Sequence, residues 1–125
     1  MVPHILLVED SALVIGALRL LLEETGHRVS DASTIAAAAH VLSADPPDVV
    51  LLDLTLGGED GLSLMTSIAG AGASRPIVVA ITGHDDAATL DRCLLAGCRA
   101  VLVKPIAPMK LKGQIAEWLG ERALT

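Results

Sequence analysis

Apolar residues fall into four near-continuous runs, each closed by a reactive polar residue. They read Ile5-Leu6-Leu7-Val8 then Glu9-Asp10, Val49-Val50-Leu51-Leu52 then Asp53, Ile77-Val78-Val79-Ala80-Ile81 then Thr82, and Val101-Leu102-Val103 then Lys104-Pro105. Short runs rich in Val, Ile and Leu, without polar alternation, are what a parallel strand covered on both faces requires. Between them the pattern turns helical. Ser11 caps a helix reaching about Glu24, which Thr25-Gly26 ends. A short second strand runs from His27 to Asp31. Ser33 or Thr34 opens an Ala-rich helix to about Leu42, stopped by Asp45-Pro46-Pro47. Gly57-Gly58-Glu59-Asp60-Gly61 is a turn-rich loop, followed by a helix from about Leu62 to Ala69. A flexible loop from Gly70 to Pro76 leads into the next strand. A helix from about Asp86 to Leu95 breaks at Gly97, and a last helix begins near Pro108 and reaches about Leu119. Five βα units predict an α/β fold with a five-stranded parallel sheet and helices on both faces.

Strands laid side by side share one C-terminal edge, where open α/β sheets bind ligands. Three carboxylates, a hydroxyl and an ammonium then converge. A carboxylate at a strand end, such as Asp53, can be a metal ligand, a nucleophile or a helix cap. Glu9, Asp10 and Asp53 together repel one another and raise at least one pKa unless a cation neutralises them. An oxygen-only set suits Mg²⁺, which takes one or two carboxylates plus phosphate oxygens. Lys104 supplies the complementary charge. Acids, a divalent cation and one Lys form a site for a phosphoryl group, for which positioning and charge neutralisation are most of the requirement. Asp53 can then serve as nucleophile.

The 125 residues suit one domain. Phe and Tyr are absent and Trp118 is the sole aromatic, so the core is expected to be aliphatic. Nine basic against fifteen acidic residues give a net charge of −6. With no basic run, direct nucleic-acid binding and adhesion to anionic membrane are not expected. No apolar stretch approaches the ~20 residues of a membrane span, and no secretory leader is recognisable. Cys93 and Cys98 lack metal spacing and read as small apolar residues. The expected location is cytoplasmic.

With these motifs in order, the chain resembles the receiver domain of two-component response regulators from Pro3 to about Trp118. The matching residues are Glu9-Asp10, Asp53, the loop from Gly57 to Gly61, Thr82-Gly83 and Lys104-Pro105. The resemblance implies a flavodoxin-like doubly wound fold of strand order 2-1-3-4-5, with residues 1–125 forming a single receiver domain without an output domain. It implies that Asp53 accepts a phosphoryl group from a phosphohistidine on a histidine kinase or histidine phosphotransfer protein. Mg²⁺ would be held by Asp10 and Asp53 directly, by Glu9 through water, and by the backbone carbonyl of Thr55. Lys104 would pair with the phosphoryl group, Thr82 would move to bond it, and the Lys104-Pro105 bond would be cis. Such a domain is a signalling phosphoacceptor, not an enzyme, and acts through phosphorylation-dependent protein contacts.

The chain departs from the family at Val101, where Tyr or Phe usually turns inward as the Thr engages phosphate. Gly57 replaces a common Pro. Gly83 and His84 sit at the rim of the implied pocket, with His84 placed to touch phosphate or water. On the first helix, Val14, Ala17, Leu18 and Leu21 suffice for the core. Leu13, Ile15 and Leu20 are then expected outside. The resemblance places Leu13, Ile15, Ile106 and Pro108 in the kinase-docking surface. A phosphatase of the haloacid dehalogenase type would want an acid at Thr55, and a flavodoxin-like nucleotide binder would want a phosphate loop in place of Glu9-Asp10-Ser11. A receiver that interacts constitutively is favoured only by Val101.

Overall fold

The computed structural model describes residues 2–72 and 75–123. The elements are β1 (His4–Val8), α1 (Ala12–Glu24), β2 (Arg28–Ala32), α2 (Ile35–Ala44), β3 (Val49–Asp53), β4 (Thr55–Leu56), β5 (Glu59–Asp60), a 3₁₀ turn (Gly61–Leu64), α3 (Met65–Ala69), β6 (Ile77–Thr82), α4 (Ala87–Leu95), β7 (Ala100–Val103) and α5 (Pro108–Ala123). The main sheet is parallel throughout, in the order β2-β1-β3-β6-β7. With the β4–β5 hairpin set aside, this is the expected 2-1-3-4-5 order of a flavodoxin-like α/β fold. No helix among the described residues is long and apolar enough to cross a membrane.

Alternation inside the apolar runs separates two cores. Leu6, Val8, Val50, Leu52, Val78 and Ala80 point to one face, against Ala38, Leu64, Ile68 and Cys93. Ile5, Leu7, Val49, Leu51, Val79 and Ile81 point to the other, against Leu22, Leu111, Ile115 and Trp118. Both faces need apolar side chains, which is why these strands carry continuous runs. The edge strand β2 buries only Val29 and Ala32. Helix starts are capped as the sequence suggests: Ser11 Oγ accepts from Val14 N–H (3.3 Å), Thr34 Oγ1 from Ala37 N–H (3.1 Å) and Asp86 Oδ1 from Thr89 N–H (2.9 Å). Cys93 and Cys98 are free thiols buried in the first core.

Several boundaries differ from the sequence expectation. The second strand starts at Arg28, because His27 N–H still bonds the Leu22 carbonyl at the end of α1. The helix expected from Leu62 opens as a 3₁₀ turn capped by Asp60, and the glycine loop contains the two-residue hairpin. α5 runs on to Ala123 without apolar periodicity. Ion pairs of Glu121 with Arg99 (3.0 Å) and of Arg122 with Asp48 (3.1 Å) fasten the extra turn to the bottom of the sheet. Of the loop expected between Gly70 and Pro76, Ala73 and Ser74 lie outside the described residues.

The core stripe of α1 is also a correction. Leu22 is fully buried, and Ile15, Leu18 and Leu21 pack on the second core, whereas Ala17 is exposed. Ile15 is therefore a half-buried packing residue, not an outward contact. Leu13 and Leu20 are outside as expected, 85 % and 64 % exposed.

Candidate functional site

The parallel register levels the strand ends. Val8 faces Leu52, Leu52 faces Ala80 and Ala80 faces Val101, so the polar residues that follow meet at one edge. Asp53 closes β3 and is 4 % exposed. Glu9, just past β1, is equally buried and its N–H donates to the Ala32 carbonyl (3.0 Å). Asp10 beside it is exposed. One carboxylate oxygen from each of Glu9, Asp10 and Asp53 lies within 4.8 Å of the others.

Two further groups hold Asp53. Lys104 Nζ stands 3.2 Å from Asp53 Oδ2 and 4.0 Å from Glu9 Oε2. Thr55 N–H donates to Asp53 Oδ1 (3.0 Å). Lys104 is itself placed by its own N–H, which donates to the Thr82 carbonyl (2.8 Å), and by the cis Lys104-Pro105 bond that follows. Thr82 is buried, and its Oγ1 accepts from His84 N–H (3.1 Å), leaving its hydroxyl proton to donate elsewhere. Gly83 and His84 are exposed at the rim. Val101 is half-buried in the core on the α2–α3–α4 side.

Gly61 is a site residue that the sequence presents only as a turn glycine. A Cβ there would lie 2.2 Å from the Asp53 carbonyl oxygen and 3.0 Å from Leu54 Cα. Its N–H bonds the Leu54 carbonyl (3.0 Å). The backbone that carries Asp53 is thus pressed against a residue with no side chain.

The cluster holds a proton where acids would otherwise all be charged. Burial pushes Glu9 up to about 7, helped by its hydrogen bond to Asp53 and by the charge of Asp53, with Lys104 opposing in part. Burial also raises Asp53, but the hydrogen bonds from Glu9, Thr55 N–H and Lys104 outweigh it and keep Asp53 below its ordinary value. Three carboxylates within 4.8 Å of one another offer an oxygen-only set that fits a hard divalent ion such as Mg²⁺. Near neutral pH such an ion would take the place of that proton.

Metal-free protein is accordingly expected to lose stability as pH rises toward neutrality. Below about pH 4.5 Glu9 is protonated folded or unfolded. Above that, the folded chain keeps the proton and the unfolded chain does not, so the stabilisation present at low pH is lost as pH passes through about 7. Asp53 acts oppositely and at lower pH, its contribution being lost as pH falls through its depressed value. Thermal melts in chelator between pH 4.5 and 8 should show the Glu9 slope flattened by Glu9→Gln. An unchanged slope in that variant would remove Glu9 as its source.

A groove of about 600 Å³ opens beside the cluster, lined by Val14, Ala17, Leu18 and Leu21 of α1 with Lys104, Pro105, Ile106 and Pro108. Ile106 and Pro108 stand there as expected, but Leu13 and Ile15 are absent from the lining. The four α1 residues expected to face the core all line the groove, Leu18 and Leu21 while also packing on the second core. Lys104 belongs to both groove and cluster.

Comparison with known proteins bears on the family and the fold. The family model for the response regulator receiver domain matches residues 5–116. The alginate biosynthesis transcriptional regulatory protein AlgB of Pseudomonas aeruginosa is 34 % identical over 122 residues, covering 98 % of this chain and 27 % of that protein. The transcriptional regulatory protein PhoP of Escherichia coli is 35 % identical over 102 residues, covering 82 % and 45 %. The chain thus spans less than half the length of these curated relatives. A CheY-like response regulator receiver domain protein from Methanospirillum hungatei superposes with a TM-score of 0.90 at 23 % identity, covering 98 % of both chains, which bears on the fold. The chain belongs to the response regulator receiver domain family of two-component signalling systems.

Proposed function

We propose that Asp53 is the phosphoacceptor of this receiver, and that residues 1–125 act as one domain. A carboxylate oxygen of Asp53 attacks the phosphorus of a phosphohistidine on a histidine kinase or histidine phosphotransfer protein. The O–P bond forms as the P–N bond breaks, and the imidazole leaves with its proton. The observation that carries this reading is the seating of Asp53. Its Oδ2 faces Lys104 (3.2 Å), its Oδ1 is held by Thr55 N–H (3.0 Å), and Glu9 and Asp10 lie alongside. Asp10, Asp53 and the Thr55 carbonyl would hold Mg²⁺, with Glu9 acting through water. The ion's chemistry is neutralisation of phosphoryl charge. Lys104 pairs with one phosphoryl oxygen and the Thr82 hydroxyl donates to another. The α1 groove receives the partner, since Lys104, 3.2 Å from Asp53 Oδ2, also lines it. The output is a phosphorylation-dependent protein contact, and the setting is the cytoplasm.

Incubation with Mg²⁺ and acetyl phosphate tests the reading. Intact mass is expected to rise by one phosphoryl group, mapped to the peptide containing Asp53, and not in chelator. A chain that never gains the adduct favours the constitutive reading that Val101 permits. With a phosphorylated histidine phosphotransfer domain as donor, Ala17→Asp is expected to slow transfer about ten-fold while leaving acetyl phosphate uptake intact. Equal slowing of both would place Ala17 outside the docking surface.

A further inference from the structure

We propose that the β4–β5 hairpin carries the state of Asp53 to α4 through the Asp60–Arg92 ion pair. This rests on Asp53 being the phosphoacceptor.

The chain of contacts is short and polar at every joint. Thr55 N–H reads Asp53 Oδ1 directly (3.0 Å). Thr55 is paired across the hairpin with Asp60, and Leu56 with Glu59. The two carboxylate oxygens of Asp60 then divide. Oδ1 accepts from Leu62 N–H (3.1 Å) and caps the 3₁₀ turn, while Oδ2 pairs with Arg92 on α4. Glu59 Oε1 accepts from Ile35 N–H (3.3 Å) at the start of α2. The hairpin is therefore fastened through its first strand to the acceptor and through its second to two helices. Gly57 and Gly58, at φ +50° and +95°, make the tight turn that lets one end follow the other. Leu56, fully buried, roots the strand in the core that α4 also contacts through Cys93.

The other route out of the pocket lacks a moving part. Val101 lies level with Ala80 in the same core, is β-branched, and is restricted at χ1. It has no ring to swing when Thr82 shifts. A phosphoryl group on Asp53 changes the charge and position of what Thr55 N–H bonds. Thr55 moves with it, Asp60 follows through the ladder, and Arg92 transmits the shift to α4.

Hydrogen exchange of α4 peptides, measured with and without acetyl phosphate and Mg²⁺, tests this. The parent is expected to change its α4 exchange on phosphorylation. Arg92→Gln should take up phosphate to the same extent by intact mass, while the α4 change falls about two-fold or more. Arg92→Lys should retain it, and Val101→Ala should leave it untouched. A full α4 response in Arg92→Gln, or no α4 response in a fully phosphorylated parent, overturns the proposal. A parent without adduct overturns the reading of Asp53, and the relay with it.

Discussion

Asp53→Asn is expected to abolish phosphoryl uptake, and Lys104→Ala to slow it by about 10²–10³-fold, both with the fold intact. The two losses differ in kind. Asn removes the anionic oxygen that forms the new O–P bond, and an amide oxygen is too poor a nucleophile to replace it. Lys104→Ala keeps the nucleophile but removes the ammonium, 3.2 Å from Asp53 Oδ2, that neutralises charge building on the transferred group. Asp53→Asn also acts on Glu9. The hydrogen bond to Asp53 and its charge rank after burial in pushing Glu9 up, so Glu9 should move back toward the ordinary carboxylate range. Lys104 keeps Glu9 Oε2 at 4.0 Å as a partner, which limits the cost to the fold. Uptake from acetyl phosphate followed by intact mass measures both variants. An adduct that survives Asp53→Asn would move the nucleophile to Asp10 or Glu9, and a Lys104→Ala chain as fast as the parent would leave the ammonium without a role in transfer.

The residues of this pocket are legible in the sequence for a physical reason. A strand buried on both faces stays apolar through its middle, so the first polar residue at its C-terminal end marks the edge. Glu9-Asp10, Asp53, Thr82 and Lys104 are found by that rule alone. The α1 stripe was not legible in the same way. Its apolar residues cover so wide an arc that Val14, Ala17, Leu18 and Leu21 look as suitable for the core as the observed stripe of Ile15, Leu18, Leu21 and Leu22. The choice is made by where α1 meets α5, which no local period encodes. Nor do strands of two residues leave a period, so the β4–β5 hairpin reads as loop. The ties of Asp60 to Arg92 and of Glu59 to Ile35 join residues 32 and 24 positions apart. Only the closed sheet brings them together.

Gly61→Ala should be the most damaging of the glycine substitutions, costing about 2–4 kcal/mol of stability. The reason is not backbone conformation, since Gly61 is not among the glycines with positive φ. It is space. The added methyl would sit 2.2 Å from the Asp53 carbonyl oxygen and 3.1 Å from its carbon, and both are backbone atoms of a central strand that cannot swing aside. Relief requires the 3₁₀ turn to back away, which stretches the Gly61 N–H bond to the Leu54 carbonyl and drags the end of β3. Phosphoryl uptake should therefore fall more than the folded fraction does. Two other glycines calibrate the effect. Gly58→Ala meets open space but forces φ +95° on an L-residue, costing about 1 kcal/mol. Gly16→Ala, exposed inside α1 with nothing within 4 Å, should stabilise by about 0.5–1 kcal/mol. Urea unfolding followed by the fluorescence of Trp118, which is buried against the sheet, reads all three. If Gly61→Ala unfolded at the parent's urea midpoint, the turn and the end of β3 would be free to separate. The close approach that seats Asp53 would then have no energetic weight.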